Sequence, residues 1–380
     1  MSHNTRQISL NQLMTLMMLF LIGGSALSST ARYAGQNVWI VLLFSGVFGI
    51  LFFTMYHRIS KIHQYKEIQD IFKSTFGKFL GTLLLIVYAG FFFFRHISTG
   101  NCMTAMAQNT LMAGINPRVV IMMLLLTVVI GALYGLNAVG RSSEIFLFII
   151  LLCTLPFLLA IFTSDVFKAT NLIPILAEGI PGIAQDVART TFFPFGELVL
   201  FIVLFPYVAP KEKKGILKRS YLAIIISVIL LIAIDLTTVA LLGANLASNF
   251  EYPFYNAMQL TGIRGFLERL DPLAIVIMVT SEYFKLVLYF FATILTIQGL
   301  NKKFKFKFII ILLSIFIFFF APFINVHETG FLIDVMPLRI LPIFELAIPL
   351  LIWIVSEIRF RKKKKYDSSS AKPAINPEPA

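Results

Sequence analysis

The residues able to do chemistry in this chain lie where chemistry is expensive, inside apolar runs. Glu197 follows Phe193, Pro194, Phe195 and Gly196 in a stretch from Thr191 to Tyr207 that is otherwise apolar enough to lie in a bilayer. A carboxylate at that depth is costly and is usually there for function. Proline removes a backbone donor and clashes with the preceding turn, while glycine permits non-helical dihedrals. Broken backbone is tolerated in hydrocarbon only inside protein or beside water, so the segment predicts a cavity. A Pro-kinked helix with Glu197 paired internally is the plainer alternative. Glu282, Lys285 and Tyr289 follow at spacings of three and four and so share one helix face. Lys285 either neutralises Glu282 or supplies a fixed or titratable cation to the cavity, with Tyr289 lining it. Arg95 stands beside His96 within an apolar run and needs a partner, for which Glu197 and Glu345 both qualify. Asp235 is expected to pair or to face water. Finally, Gly23-Gly24-Ser25-Ala26 and then Ser28-Ser29-Thr30 interrupt the first apolar run, the glycines weakening a helix and the hydroxyls able to satisfy freed backbone groups.

The elements that must carry these groups are membrane spans. Hydrophobic residues make up 58% of the 380 and charged residues 13%. Apolar runs of about twenty residues, the length that crosses a bilayer as a helix, recur throughout. Ten are predicted, at about 10–31, 37–56, 79–110, 118–135, 143–163, 188–209, 217–243, 272–300, 306–325 and 336–357. The net charge of +13 is concentrated between spans on alternate sides. By the positive-inside rule, both termini are expected in the cytoplasm. The first run shows no cleavage site and is read as a retained span. The long outer segments 164–187 and 244–271 are either short helices capping a vestibule or plain surface linkers. Residues 1–9 form a cytoplasmic N-terminus and 10–358 a single membrane domain. Residues 359–380 form a tail that is basic, suited to anionic membrane lipid, and then disordered.

Spans one and six are both expected to be discontinuous, and they stand five apart in a ten-span chain. Interrupted segments at matching positions of two halves point to a transporter site between repeats of inverted topology. The expected fold is therefore all-α, with repeats of about 10–163 and 188–357 in a LeuT-like 5+5 arrangement and broken helices 1 and 6. A small ligand would meet Gly23, Gly24 and Ser25 across from Phe195 and Gly196, with Lys285 and Tyr289 lining the site. Glu197, Arg95 and Glu282 would be its polar or ion-linked groups. Small residues marking tight helix packing are the alternative for Gly23 and Gly24.

Phosphate-binding, zinc-protease and nucleophile-elbow motifs are missing from the sequence. Its five histidines are scattered, and Cys102 and Cys153 both fall in apolar runs. No enzyme, metal site, cofactor or nucleic-acid partner is expected.

Three pieces of the chain resemble the spore germination permease family, the polytopic B subunits of nutrient germinant receptors. The first runs from Asn171 through Pro174 to Leu176, then Gly179, then Phe193 to Glu197. The second is Glu268 to Asp271 entering a span with Phe284 and Lys285. The third is Ile22 to Ala26 followed by Trp39. The chain departs from the family pattern at Ser28 to Thr30, where proline is common, at Asn37-Val38, where Asp-Ala is common, and near Met278, where a tryptophan is common. The resemblance covers about residues 6–360. It implies the fold of the amino acid–polyamine–organocation transporter superfamily and binding of a germinant such as an amino acid. It also implies an A subunit and a lipoprotein C subunit as partners, and the inner spore membrane as location. An amino-acid/proton permease and an ion-release channel subunit are the alternative functions.

Overall fold

A computed structural model describes residues 7–163, 166–177, 179–261, 269–301, 303–324 and 331–370. Ten helical segments among them are long and apolar enough to cross a membrane, matching the ten expected. They are α1 (Leu10–Leu27), α2 (Ala31–Ile62), α3 (Lys78–Thr110), α4 (Pro117–Tyr134), α5 (Leu136–Leu159), α6 (Gly179–Tyr207), α7 (Lys213–Leu242), α8 (Asp271–Leu300), α9 (Phe306–Phe323) and α10 (Val335–Arg359). The chain is thus an all-α multi-pass membrane protein. The only backbone pairing of β type among the described residues is one isolated parallel bridge, Ile8 with Val208.

Burial divides the spans into two rings. In α1 and α6, 72% of the apolar window is buried, and in α8 67%; in α4, α5, α9 and α10 it is 22–33%. The first three form the centre, and the last four turn most of their apolar surface outward, as a lipid-facing helix does. The centre is therefore where the charged side chains of α3, α6 and α8 are enclosed.

The first span departs from expectation. Its helix starts on a capping box, Ser9 accepting from the Gln12 amide at 3.1 Å and Gln12 Oε1 from the Ser9 amide at 3.0 Å. It then runs through Gly23 and Gly24 without interruption and ends at Leu27. Of the interruption expected over Gly23–Ala26 and Ser28–Thr30, the glycine part stays helical, and the helix is left at Ser28, whose φ of −117° and ψ of 72° are not helical. Helix packing explains Gly23: a Cβ there would lie 2.9 Å from the backbone carbon and oxygen of Ser281 in α8. The chain turns where hydroxyls replace helical hydrogen bonds. Ser29 Oγ donates to Asp235 Oδ1 of α7 at 2.7 Å and accepts from the Ala31 amide at 3.2 Å. Asp235 thereby finds the partner it was expected to need.

In the sixth span a regular helix covers Gly179–Thr190 and a tightly wound one begins at Gly196. Between them Phe193 is extended, with φ −131° and ψ 108°, directly before Pro194. This agrees with the restriction that proline places on the residue before it.

At the face where α1 begins, the chain is stitched to the end of α6. The Ile8 amide donates to Tyr207 O at 2.9 Å and Ile8 O accepts from the Ala209 amide at 3.0 Å. Glu212 Oε2 then accepts from the Leu10 amide at 2.6 Å. At the opposite face, two short helices, Ala244–Asn249 and Pro253–Gln259, follow α7. The helix of α10 continues through the basic run to Ser370; the remainder of the expected disordered tail, 371–380, lies outside the described residues.

Candidate functional site

Three spans bring their polar groups to one point. Arg95 comes from the middle of α3, Glu197 from the first turn after the extended Phe193, and Lys285 and Tyr289 from successive turns of α8. Glu197 is wholly buried, and both its oxygens are engaged. Oε1 pairs with an Arg95 guanidinium nitrogen and accepts from the Tyr289 hydroxyl at 2.8 Å. Oε2 lies 2.5 Å from Lys285 Nζ. Arg95 thus takes Glu197 rather than Glu345, and Lys285 takes Glu197 rather than Glu282 three residues before it. Both cations are further held over aromatic faces. Lys285 Nζ is 4.2 Å from the Phe193 ring centre and 5.3 Å from that of Phe20, and the Arg95 guanidinium is 5.5 Å from Phe193. The extended conformation at Phe193 therefore turns a ring towards the two charges.

A cavity of about 60 Å³ adjoins this cluster, with Gly24, Arg95, Glu282 and Lys285 in its wall. That is room for more than one water or for a small ligand, since a water needs about 10–15 Å³ by this measure. Glu282 is buried, and its Oε2 has no hydrogen-bond partner among the described residues. A Cβ at Gly24 would lie 2.6 Å from Lys285 Nζ and 3.2 Å from Pro194 Cβ, so a side chain there would displace the ammonium from its present position. Towards the face of the short helices the wall includes Arg32, Glu251 and Tyr252. Glu251 accepts from Asn109 Nδ2 at 2.9 Å and from Tyr252 Oη at 3.1 Å. Burial and the Glu251 carboxylate hold the Tyr252 phenol above its ordinary range, so it remains a donor.

Of the ten residues named from sequence, Gly24, Arg95, Glu197, Glu282, Lys285 and Tyr289 come together here. Four of these six, Gly24, Arg95, Glu282 and Lys285, line the cavity, with Glu197 and Tyr289 behind them; the other four named residues stand apart from it. Gly23 packs on α8, and Ser25 is buried with its hydroxyl unpartnered among the described residues. Phe195 faces Gly49 of α2, where a Cβ would come within 2.9 Å of its own Cβ. Gly196 faces the carboxyl of Glu345. The aromatic contribution of Phe193 and Phe20 and the residues at Arg32 and Glu251 were not singled out. Phe193 had a signal, its place directly before the proline. Arg32 and Glu251 had none beyond lying in outer segments. Among the described residues, no group of three His, Cys, Asp or Glu side chains could hold a metal ion.

A ten-span bundle with a charged cavity among its central helices is the design of a permease-like membrane protein. The sequence profile of the family described as spore germination protein matches residues 7–329, and the chain belongs to that family. It is similar to spore germination protein KB of Bacillus subtilis (strain 168), 27% identical over 375 residues, covering 96% of this chain and 99% of that one. Spore germination protein A2 of the same organism is 26% identical over 72% of this chain and 73% of its own length. YndE, a further spore germination protein, is 22% identical over 88% and 91%.

Proposed function

We propose that this chain is the nutrient-sensing membrane subunit of a spore germinant receptor. Its ligand is a small zwitterion, with amino acids first among the candidates, and its site is the cavity beside α1, α3, α6 and α8. One observation carries this reading: a single buried cavity presents two cations, Arg95 and Lys285, together with a carboxylate oxygen of Glu282 that nothing in the described protein satisfies. Buried polar groups are expected to be paired. A ligand ammonium satisfies Glu282, and a ligand carboxylate meets the cavity side of Arg95 and Lys285. Glu197 holds those cations in place from behind, and Tyr289 fixes Glu197.

In this reading the two halves, about 10–163 and 188–357, are repeats of inverted topology. Ligand binding biases a rocking motion between them, which it does only by preferring one state. The signal passes to an A subunit and a lipoprotein C subunit in the inner spore membrane, with both termini in the cytoplasm. The partners and location rest on the family resemblance; the termini rest on the loop charges.

The test is a thermal-shift screen of amino acids, sugars and nucleosides on the purified chain in nanodiscs. A ligand at a hundred times its Kd stabilises the folded state by about 2.7 kcal/mol. The expected result is a shift with one or more amino acids that disappears in Gly24→Trp while the variant stays folded. No shift with any compound removes the autonomous site. Vesicle uptake of the hit would make the chain a permease, and current without a solute gradient would make it a channel subunit.

A further inference from the structure

Behind the cluster lies a carboxyl group that the ligand site does not use. Glu345 sits in α10 on a widened helical turn, Ile343–Ala347, of the π type that recurs at functional sites. It is wholly buried, and neither side-chain oxygen has a hydrogen-bond partner or an ion pair among the described residues. It is absent from the wall of the cavity. Its carboxyl abuts the α-carbon of Gly196, so closely that a Cβ there would overlap it. Its backbone is tied to the same residue, because Tyr56 Oη of α2 lies 2.5 Å from Glu345 O and 3.0 Å from Gly196 O. Tyr88 Oη of α3 donates to the neighbouring Phe344 O at 2.7 Å.

The charges around Glu345 do not balance. Arg95 and Lys285 are its charged neighbours. With Glu197 and Glu282 they make five enclosed ionisable side chains, each no more than 2% exposed. Two are cationic and three are carboxyls, which leaves the set one positive charge short. An uncompensated buried charge costs several kcal/mol. Glu197 is paired twice, and Glu282 borders a cavity with room for water. Glu345 has neither remedy. The nearby carbonyls of Gly196, Phe344 and Glu345 itself already face tyrosine hydroxyls, so they do not complete an oxygen cage for a metal cation.

We propose that Glu345 is a proton-binding site between α6 and α10, and that its proton sets the geometry of the Phe193–Glu197 segment. The inference goes beyond the ligand reading and does not depend on it. With the proton in place, the set is neutral and Glu197 keeps both cations. When the proton leaves, two carboxylates, Glu197 next to Gly196 in the chain and Glu345 against its α-carbon, compete for Arg95 and Lys285, and the hold on Glu197 loosens. The groups facing Glu345 are Tyr56 from α2, Tyr88 and Arg95 from α3, Glu197 from α6, and Lys285 and Tyr289 from α8.

Infrared difference spectra of the full chain in nanodiscs, stepped from mildly acidic to alkaline pH, test this directly. The wild type is expected to show a protonated-carboxyl stretch at neutral pH. Glu345→Gln should lose it, and the double variant Glu282→Gln, Asp235→Asn should keep it. No such band in the wild type, or a band abolished by the double variant, overturns the proposal; the second comparison decides even if Glu345→Gln does not fold. Coupling to the cavity is read from Cys102, which lines it, in a Cys153→Ser background. The ratio of thiosulfonate labelling rates, wild type over Glu345→Gln, should change several-fold with pH, and a constant ratio overturns the coupling.

Discussion

Glu197 neutralises two buried cations at once, so its loss exposes more than one missing contact. Removing one partner of a buried ion pair typically costs about 3–5 kcal/mol, because the remaining charge is left uncompensated. Glu197→Ala is expected to destabilise the fold by about that amount, read as a lowered thermal midpoint. Replacing Arg95 by Met together with Glu197 by Leu should recover part of it, read by thermal unfolding in nanodiscs. A smaller effect is expected at Phe193, whose ring lies 4.2 Å from Lys285 Nζ. Phe193→Ala should cost about 0.5–2 kcal/mol, the range of a partly desolvated cation–π contact, and Phe193→Tyr much less. At this scale the sequence was informative about which ionisable groups lie at membrane depth. It could not choose between Glu197 and Glu345 for Arg95, and for Lys285 it offered only Glu282 as a partner, where the structure has Glu197. Those choices depend on how α3, α6 and α8 are turned about their axes, and spacing along one helix does not encode that.

At the scale of elements, the glycines separate into two kinds. Gly23 meets backbone atoms of Ser281, which cannot swing aside, and Gly81 of α3 would place a Cβ 2.7 Å from Phe72 O and from Lys73 Cα. Gly23→Ala and Gly81→Ala are each expected to cost about 1–3 kcal/mol through overpacking. Gly90→Ala, with nothing within 4 Å, should leave the midpoint nearly unchanged. The paired glycines were therefore legible as a close approach but not as the point where the helix ends. That point is marked by Ser29, whose hydroxyl accepts from the Ala31 amide and donates to Asp235 of α7, more than two hundred positions away. A second junction joins α2, the Ile68–Phe76 helix and α10 through His63. Its Nε2 lies 2.9 Å from Ser356 Oγ and its Nδ1 3.2 Å from Ser74 Oγ. Burial, and then Lys66, hold the imidazole below its ordinary 6.5. The unfolded chain therefore binds this proton more readily than the fold does. The stability contributed is complete above pH 6.5 and is lost as pH falls through the folded value. The midpoint difference between wild type and His63→Gln should accordingly be largest at neutral pH and shrink on acidification.

For the whole molecule, span count and order were readable from apolar length alone, because a bilayer sets the length of what crosses it. The two-ring arrangement left only a partial trace: the three central spans are less apolar than the four outer ones, but α2 and α7, half of whose apolar window is buried, are as apolar as any. Loop charge gives a testable orientation. Cysteines introduced as Lys213→Cys and Lys305→Cys should be labelled from the cytoplasmic side, and Asn116→Cys and Asn245→Cys from the other. Mixed labelling would overturn the assignment of the termini.

The stitch between Ile8 and the end of α6 also governs what leverage the molecule has. Fastened at one end through Tyr207, Ala209 and Glu212, α1 and α6 resemble the two arms of a pair of tweezers. Any change in their separation would be smallest at the fulcrum and largest at the tips near Ser28 and Arg189. A bulky fusion placed directly ahead of Gln7 would press on that fulcrum, whereas the same fusion after Ser370 would leave the arms free to open and close.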